Sequence, residues 1–484
     1  MKVVLVRPPF YALFGVTTPK MKTYPLNLLY LATYARERGG HEAAVVDGEN
    51  ISVPGLAPPG SSEKDPGIVM HEGIPRMVEV LGNPDHPLWA EMERRILAES
   101  PDLVGITCNS GNMDTVRLMV AGLKRHRIPV MLGGSHPTVL PEQSIHYTAA
   151  DMAAVGEGEH TLVRVMDALA GKDSPAAIPS LAWQDHDRIL TNPRGELIDS
   201  IDDLPIPDRS FISRENYFGE VILTGRGCPF NCAYCASRNI WGRKVRLRSV
   251  PSIIEELQML KEHALAFEDP SEPGKGSSEG GEALNPRPGR WVVKVVDDTF
   301  TVNKKRTLTL LDEIVSRGLN CFEFTGGVRA DTLDENLVNR MREANFQRVT
   351  LGVESGSPRI LKMIRKGETN EDVRNAVRLL RNAGIHSHAF FMIGLPGETP
   401  EDIELTKKLI LEVQPDHVEI NMVTPYPGTD IFEKLIPEDP MKIDRWYRWF
   451  HQGMATHSER LGYDLDAAYE DFLEFAGRYN ASSD

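Results

Sequence analysis

A chain of 484 residues, 41% of them hydrophobic, has room for roughly three domains of ~150 residues and for more than one core. Its 54 basic and 69 acidic side chains give a formal charge of −15, which argues against nucleic acid as a partner, because phosphate binding needs a basic footprint. No apolar run is long enough to predict a membrane span, the opening MKVVLVRPPF reads as a strand and turn rather than a secretory signal, and five cysteines, three of them clustered, point to a reducing, cytoplasmic compartment.

Residues 1–165 alternate strand and helix. Strands are expected at 3–6, 42–47, 103–107, 130–132 and 153–155, with helices at 25–37 (PLNLLYLATYARE) and 113–126. This pattern predicts an α/β fold with a doubly wound, Rossmann-like parallel sheet. Ligands on such sheets sit at the carboxyl ends of the strands, which puts forward Arg7, Thr107, Ser110, Gly133, Gly134, His136, Gly156 and Glu157. His136 reads as a hydrogen-bonding loop residue rather than a metal ligand. Residues 48–90, rich in Gly and Pro, read as a long connection, either covering a ligand or simply surface loop. Residues 166–215 read as a linker. From 216 to 430 the alternation resumes, with strands expected at 220–224, 292–296, 322–325, 348–353, 388–393 and 417–423. Residues 268–290 (EDPSEPGKGSSEGGEALNPRPGR) interrupt it with a composition that cannot bury a core. Residues 431–484 read as a helical, aromatic C-terminal region.

The sharpest chemical signal is GRGCPFNCAYCAS, which spaces Cys228, Cys232 and Cys235 as C-x3-C-x2-C. Thiolates are the usual protein ligands of iron–sulfur clusters. Three on one short loop hold three irons of a four-iron cluster and leave the fourth open. A zinc site favours paired C-x2-C units, and no second pair exists here. Cys108 and Cys321 lie elsewhere and read as buried thiols.

With Tyr234 before the third cysteine and Gly225, Arg226, Gly227 and Pro229 flanking it, the loop resembles the signature of the radical S-adenosylmethionine (SAM) enzymes. Upstream, RPPF, PLNLLYLATYARERGGHEAAVVD, GGSHPTVLPE and VGEGEHTL resemble, in that order, the cobalamin-binding domain of the cobalamin-dependent members. No D-x-H-x-x-G occurs, so a histidine ligand below cobalt has no support. The resemblance implies a cobalamin domain over 1–165, a partial (β/α)6 barrel over 216–430 and a helical tail over the barrel mouth. It implies three cofactors: a 4Fe–4S cluster on Cys228, Cys232 and Cys235, SAM on its open iron, and cobalamin.

The reaction implied is methyl transfer to an unactivated carbon or a phosphinate phosphorus. One SAM is cleaved to the 5′-deoxyadenosyl radical that takes a substrate hydrogen, a second methylates cobalamin, and methylcobalamin delivers the methyl group. One alternative is corrin-assisted cyclisation or ring contraction without methyl transfer. Another is a cobalamin or redox sensor without turnover, although no DNA-binding or signalling module is visible. The partners implied are a small-molecule or natural-product substrate and a reducing donor such as flavodoxin or ferredoxin.

Active-site groups of a parallel barrel come from the carboxyl ends of its strands. Of Asp297 and Asp298, one is expected to reach SAM or the corrin and the other to cap a helix. Arg329 either forks onto the SAM carboxylate or pairs with Asp331 or Asp334. Glu354, costly at a buried strand end unless paired, is expected near the SAM ribose and methionine. Ile393, Gly394 and the backbone of Tyr234 are expected beside adenine, and Tyr426 lies either at the mouth or in the core.

Overall fold

The chain opens with β1 (Lys2–Arg7), apolar on both faces because helices cover both sides of its sheet. The computed structural model describes residues 1–15, 23–51, 53, 56, 66–217, 219–267, 292–320, 323–436, 438–450 and 457–483. Next come α1 (Leu26–Glu37), β2 (Glu42–Asp47), α2 (Pro66–Gly82), α3 (Pro87–Ala98), β3 (Leu103–Thr107) and α4 (Met113–Lys124). They are followed by β4 (Val130–Gly133), α5 (Ser135–Val139), α6 (Pro141–Thr148), β5 (Met152–Ala154), α7 (Glu159–Leu169), β6 (Leu181–Asp185) and β7 (Arg188–Thr191). The seven strands form one sheet in the order β2-β1-β3-β4-β5-β6-β7, parallel through β5 and antiparallel beyond it. The order is doubly wound, and its reversal between β1 and β3 opens the crevice where such sheets take ligands. Val4 and Val6 pack on one face with Met113 and Val116, and Val3 and Leu5 on the other with Leu28 and Leu162.

Two segments differ from expectation. The connection expected at 48–90 contains α2 and runs into α3. Pro75 inside α2 breaks the helical signal, yet Met70, Met77 and Val80 bury at helical spacing. The linker expected at 166–215 contains the β6–β7 hairpin, whose strands end in exposed polar residues and so lack an apolar signature.

The second sheet is built from β8 (Glu220–Ile222), β9 (Gly225–Arg226), α8 (Ser237–Trp241), β10 (Arg246–Leu247), α9 (Val250–Phe267), β11 (Val292–Val295), α10 (Lys304–Ser316), β12 (Glu323–Val328) and α11 (Glu335–Glu343). It continues through β13 (Phe346–Glu354), α12 (Pro358–Met363), α13 (Asn370–Ala383), β14 (His386–Ile393), α14 (Pro400–Val413) and β15 (His417–Met422). Six of these strands form an all-parallel arc, β15-β14-β13-β12-β11-β8. Its outer face, including Val293, Phe324, Leu351, Phe391 and Ile420, is buried against the helices. β9 and β10 pair antiparallel on either side of the cysteine loop. The low-complexity stretch 268–290 and Cys321 lie outside the described residues.

The chain finishes with α15 (Asp430–Leu435) and α16 (Leu465–Ser483). Between them an aromatic segment leaves the barrel and packs on the first sheet's unit: the Trp446 ring meets His136 at 4.5 Å, and the Tyr447 amide donates to Asp114 at 2.8 Å. α16 covers the edge strand β15. The Asn480 carboxamide accepts from the Val418 amide and donates to its carbonyl, both at 2.9 Å.

Buried charge ties the segment before the barrel to its wall. Glu256 of α9 accepts from Arg209 at 2.5 Å and from Arg248, and Arg209 also reaches Glu220 at 3.2 Å. All four side chains are buried. Removing one partner of such a pair leaves a charge without compensation, at about 3–5 kcal/mol. Glu256→Ala should therefore lower the unfolding free energy read from urea titration by an amount in this range, and Glu256→Gln by less. Equal stability of Glu256→Ala and wild type would contradict the lock.

Candidate active site

The cysteine loop leaves β9 through Gly227, whose φ is 97° and whose missing side chain lets the Lys244 carbonyl approach; a Cβ would stand 2.2 Å from it. Cys232 is buried, and Cys228 and Cys235 are half-buried; none is in a disulfide. The Cys235 amide donates to the Cys232 carbonyl at 3.2 Å, and the Ala233 amide to Ile364 at 2.8 Å, pinning the loop to the turn after α12. Asp298 clasps both ends of the loop, accepting from the Gly227 amide and the Ser237 hydroxyl at 2.9 Å each. Asp297 points elsewhere, accepting from the Thr224 amide at 2.6 Å, and burial pushes its carboxyl up to about 6. Among the described residues no three His, Cys, Asp or Glu side chains gather round a single-ion site. The thiolates of a cluster bind different irons and need not share one.

A charged group flanks the loop. The Tyr234 hydroxyl donates to Glu354 at 2.8 Å, Lys366 donates to the same carboxylate at 3.0 Å, and Lys366 meets Glu368 at 3.1 Å. Glu354 is held at a φ of 70°, a strained conformation for a non-glycine residue. Arg329 forks onto Asp331 at 2.8 and 3.0 Å and lies 3.7 Å over the Phe230 ring, so of its two readings the geometry shows the ion pair. Burial pushes the Cys232 thiol up, opposed by the charges of Lys366 and Arg329.

Ile393 is fully buried in the core, and Gly394 lies under Leu465 and His457 of the C-terminal region. Beside them Glu398 accepts from the Gly394 amide at 2.6 Å and the Tyr463 hydroxyl at 3.0 Å.

The strand ends of the first sheet face the loop across two cavities. One, of ≈ 470 Å³, is a mainly apolar slot between the sheet, α1 and α7 that reaches Asp298; Thr107, Gly133, Gly134, Gly156 and Glu157 line it. Gly134 is required there, because a Cβ would stand 2.4 Å from the Cys108 carbonyl. Small residues and apolar walls at these strand ends fit the flat corrin and its tail. The other, of ≈ 600 Å³, lies between Ser110 and His136 on one side and Tyr234 and Cys235 on the other, walled by Tyr426, Trp449 and Phe450. Both His136 nitrogens are engaged, with Ser110 at 2.8 Å and Gln143 at 2.9 Å, and burial pushes its pKa down to about 4. Glu157 is tied up as well, bridging Arg226 at 2.6 Å and Arg246 at 2.7 Å, while Arg226 also takes Glu159 at 2.6 Å. The pairing of Arg246 with Glu157 joins residues 89 apart and has no local signature in the sequence.

Two consequences can be measured. Asp298→Ala removes the two hydrogen bonds by which an exposed carboxylate holds the ends of the cysteine loop together. It should lower iron per chain after reconstitution, with no change in global melting; full iron retention would show that the clasp is idle. Burial pushes the Glu398 carboxyl up to about 7, against an ordinary 4.5. Its contribution to stability is therefore complete below pH ~4.5 and is lost as pH rises through about 7. Glu398→Gln should flatten that part of the melting curve against pH; an unchanged slope would rule the titration out.

Residues 63–166 match the family model of the B12 binding domain, and residues 279–410 that of the Radical SAM superfamily. The cysteine loop precedes the second match, so its reading stands on spacing and geometry. The uncharacterized methyltransferase PH0819 of Pyrococcus horikoshii is 30% identical over 463 residues, covering 93% of this chain and 86% of that protein. Cytidylyl-2-hydroxyethylphosphonate methyltransferase of Streptomyces wedmorensis is 25% identical over 483 residues, 90% of this chain and 81% of that protein. The fold matches the radical SAM methyltransferase TsrM of Kitasatospora setae, solved with cobalamin and a 4Fe–4S cluster, at a TM-score of 0.67 and 20% identity over 90% of this chain and 78% of that one. The chain belongs to the cobalamin-dependent radical SAM enzymes, whose cofactors are a 4Fe–4S cluster, SAM and cobalamin.

Proposed function

We propose that this enzyme moves a methyl group from SAM to an unactivated carbon or phosphorus of a small molecule. The observation that carries the reading is the ≈ 600 Å³ cavity that the cysteine loop shares with the strand ends of the first sheet. When bound, the cofactors supply a 5′-deoxyadenosyl radical and a methyl carrier. The chain supplies the holding groups. Cys228, Cys232 and Cys235 take three irons, and Asp298 keeps their loop closed. Thr107, Gly133, Gly134 and Gly156 leave room for the corrin. Lys366, Glu354 and Tyr234 set the charge beside the cluster. His136, with both nitrogens engaged by Ser110 and Gln143, would stand beside a bound corrin as a hydrogen-bonded loop residue. The working units are 1–165 and 216–430, joined by 166–215 and closed by 431–484, and a reduced flavodoxin or ferredoxin feeds the cluster. No described helix is long and apolar enough to cross a membrane; we place the enzyme in the cytoplasm.

A second reading, cyclisation without methyl transfer, draws support from a relative named anaerobic magnesium-protoporphyrin IX monomethyl ester cyclase. That Cereibacter sphaeroides protein is 28% identical over 320 residues, 63% of this chain and 48% of its own length.

Anaerobic reconstitution with iron, sulfide and hydroxocobalamin, followed by mass spectrometry with candidate substrates, separates the readings. Methyl transfer predicts S-adenosylhomocysteine and a methylated product, whereas cyclisation gives 5′-deoxyadenosine without S-adenosylhomocysteine. A variant with all three loop cysteines changed to alanine should form no 5′-deoxyadenosine, and Cys108→Ser should retain the cluster. Paramagnetic resonance of the cob(II)alamin form should show no nitrogen coupling from a protein histidine, with His136→Ala unchanged.

A further inference from the structure

The inner face of the barrel is unlike its outer face. The outward rows of β13, β14 and β15 are buried apolar residues such as Val349, Ala389 and Val418. Strand alternation turns the intervening residues inward, and these include Lys294, Arg348, His388, His417 and Glu419. A barrel interior that serves only as a core is filled with layers of Val, Ile and Leu. Here Lys294 pairs in register with Thr325, and Thr325 with Arg348, so two cations share one row two strands apart, roughly 10 Å. His388 is in register with Thr350 and His417, one row nearer the mouth.

This face is open and incompletely satisfied. Solvent reaches Lys294 although it lies on the concave side, enclosed by the lumen walls, and among the described residues it forms no hydrogen bond or ion pair. Burial and then Arg348 push its ammonium down, with Glu419 opposing. At Gly327, on the strand between the two cations, a Cβ would meet nothing within 4 Å. The buried atoms His388 Nε2 and Asn421 Oδ1 lack hydrogen-bond partners, although His388 Nε2 stands 3.3 Å from the Glu419 carboxylate. Burial holds His417 neutral, with a pKa of about 4. Buried polar atoms in native proteins are almost always satisfied, so these are positioned for a ligand. An unpaired ammonium beside a guanidinium selects an anion.

We propose that the lumen binds an oxyanionic end of the substrate, a carboxylate or a phosphate, between Lys294 and Arg348, with His388 and Asn421 hydrogen-bonding to atoms nearer the mouth. This rests on the methyl-transfer site proposed above and adds the substrate class. On β13, Arg348 and Glu354 are six residues apart, roughly 20 Å, and Glu354 touches the cysteine loop. The substrate is therefore elongated, anchored at its charged end and reacting at the other.

The test titrates the reconstituted holoenzyme, anaerobically and by calorimetry, with inorganic phosphate and separately with succinate. Saturable binding of either anion, weakened at least tenfold in Lys294→Met and partly restored in Lys294→Arg, is expected. Preference for phosphate marks a phosphate-bearing substrate, and preference for succinate a carboxylate-bearing one. Absence of saturable binding by both anions overturns the proposal. So does binding that is unchanged in both Lys294→Met and Arg348→Met when their circular dichroism matches wild type. Cluster absorbance and corrin content, read on the same samples, report separately on whether the cofactors of the reaction site are loaded in each variant.

Discussion

The Glu157 carboxylate, wedged between the guanidiniums of Arg226 and Arg246, is the contact on which the rest of the site depends. Glu157 follows the last parallel strand of the first sheet, and Arg226 stands two residues before Cys228. One buried ion cluster therefore sets the distance between the strand ends of the first sheet and the cysteine loop. Burying such charges is expensive, and attraction offsets the expense only when geometry and hydrogen bonding are complete. Here they nearly are: Glu157 also accepts from the Ile198 amide at 2.8 Å, and Arg226 lies against the Tyr30 and Trp241 rings. A reaction passing between two separately held cofactors needs this kind of fixed separation, because small displacements of reacting groups are costly in rate.

The wall of the shared cavity has three sources, and the third comes from the far end of the chain. Trp449 donates to the Pro425 carbonyl at 2.9 Å while Phe450 packs against Phe14 with ring centroids 5.0 Å apart. The aromatic segment thus touches both sheets at once and excludes water where they meet. Its composition suggests a helical cover on the barrel, but short 3-10 turns carry it sideways onto the first unit.

How much of this was legible depended on whether the signal was local. Parallel strands buried on both faces announce themselves as apolar runs, so Leu103–Thr107 lies where the sequence puts it, and the cysteine spacing is local by nature. Pro75 hid a helix and polar ends hid a hairpin. The fates of Glu157 and Gly394 depend on partners far along the chain or in a tail whose course no local pattern records. For Arg329 the residues left two readings, and only coordinates choose Asp331. At Gly394 the strand end lies where the sequence puts it, and Leu465 and His457 pack against it.

An open arc of strands has a second problem besides holding its ligands: its edges invite company. At β15 that invitation is withdrawn by two side chains of α16, since the Asn480 amide occupies the Val418 backbone as a neighbouring peptide would, and the Tyr469 hydroxyl takes the Ile420 carbonyl at 3.4 Å. A copy of the chain, or a misfolded fragment of one, finds no free ladder there to extend. Any self-association on that flank must be built from side-chain surfaces, and it can therefore be tuned by surface substitutions without disturbing the barrel.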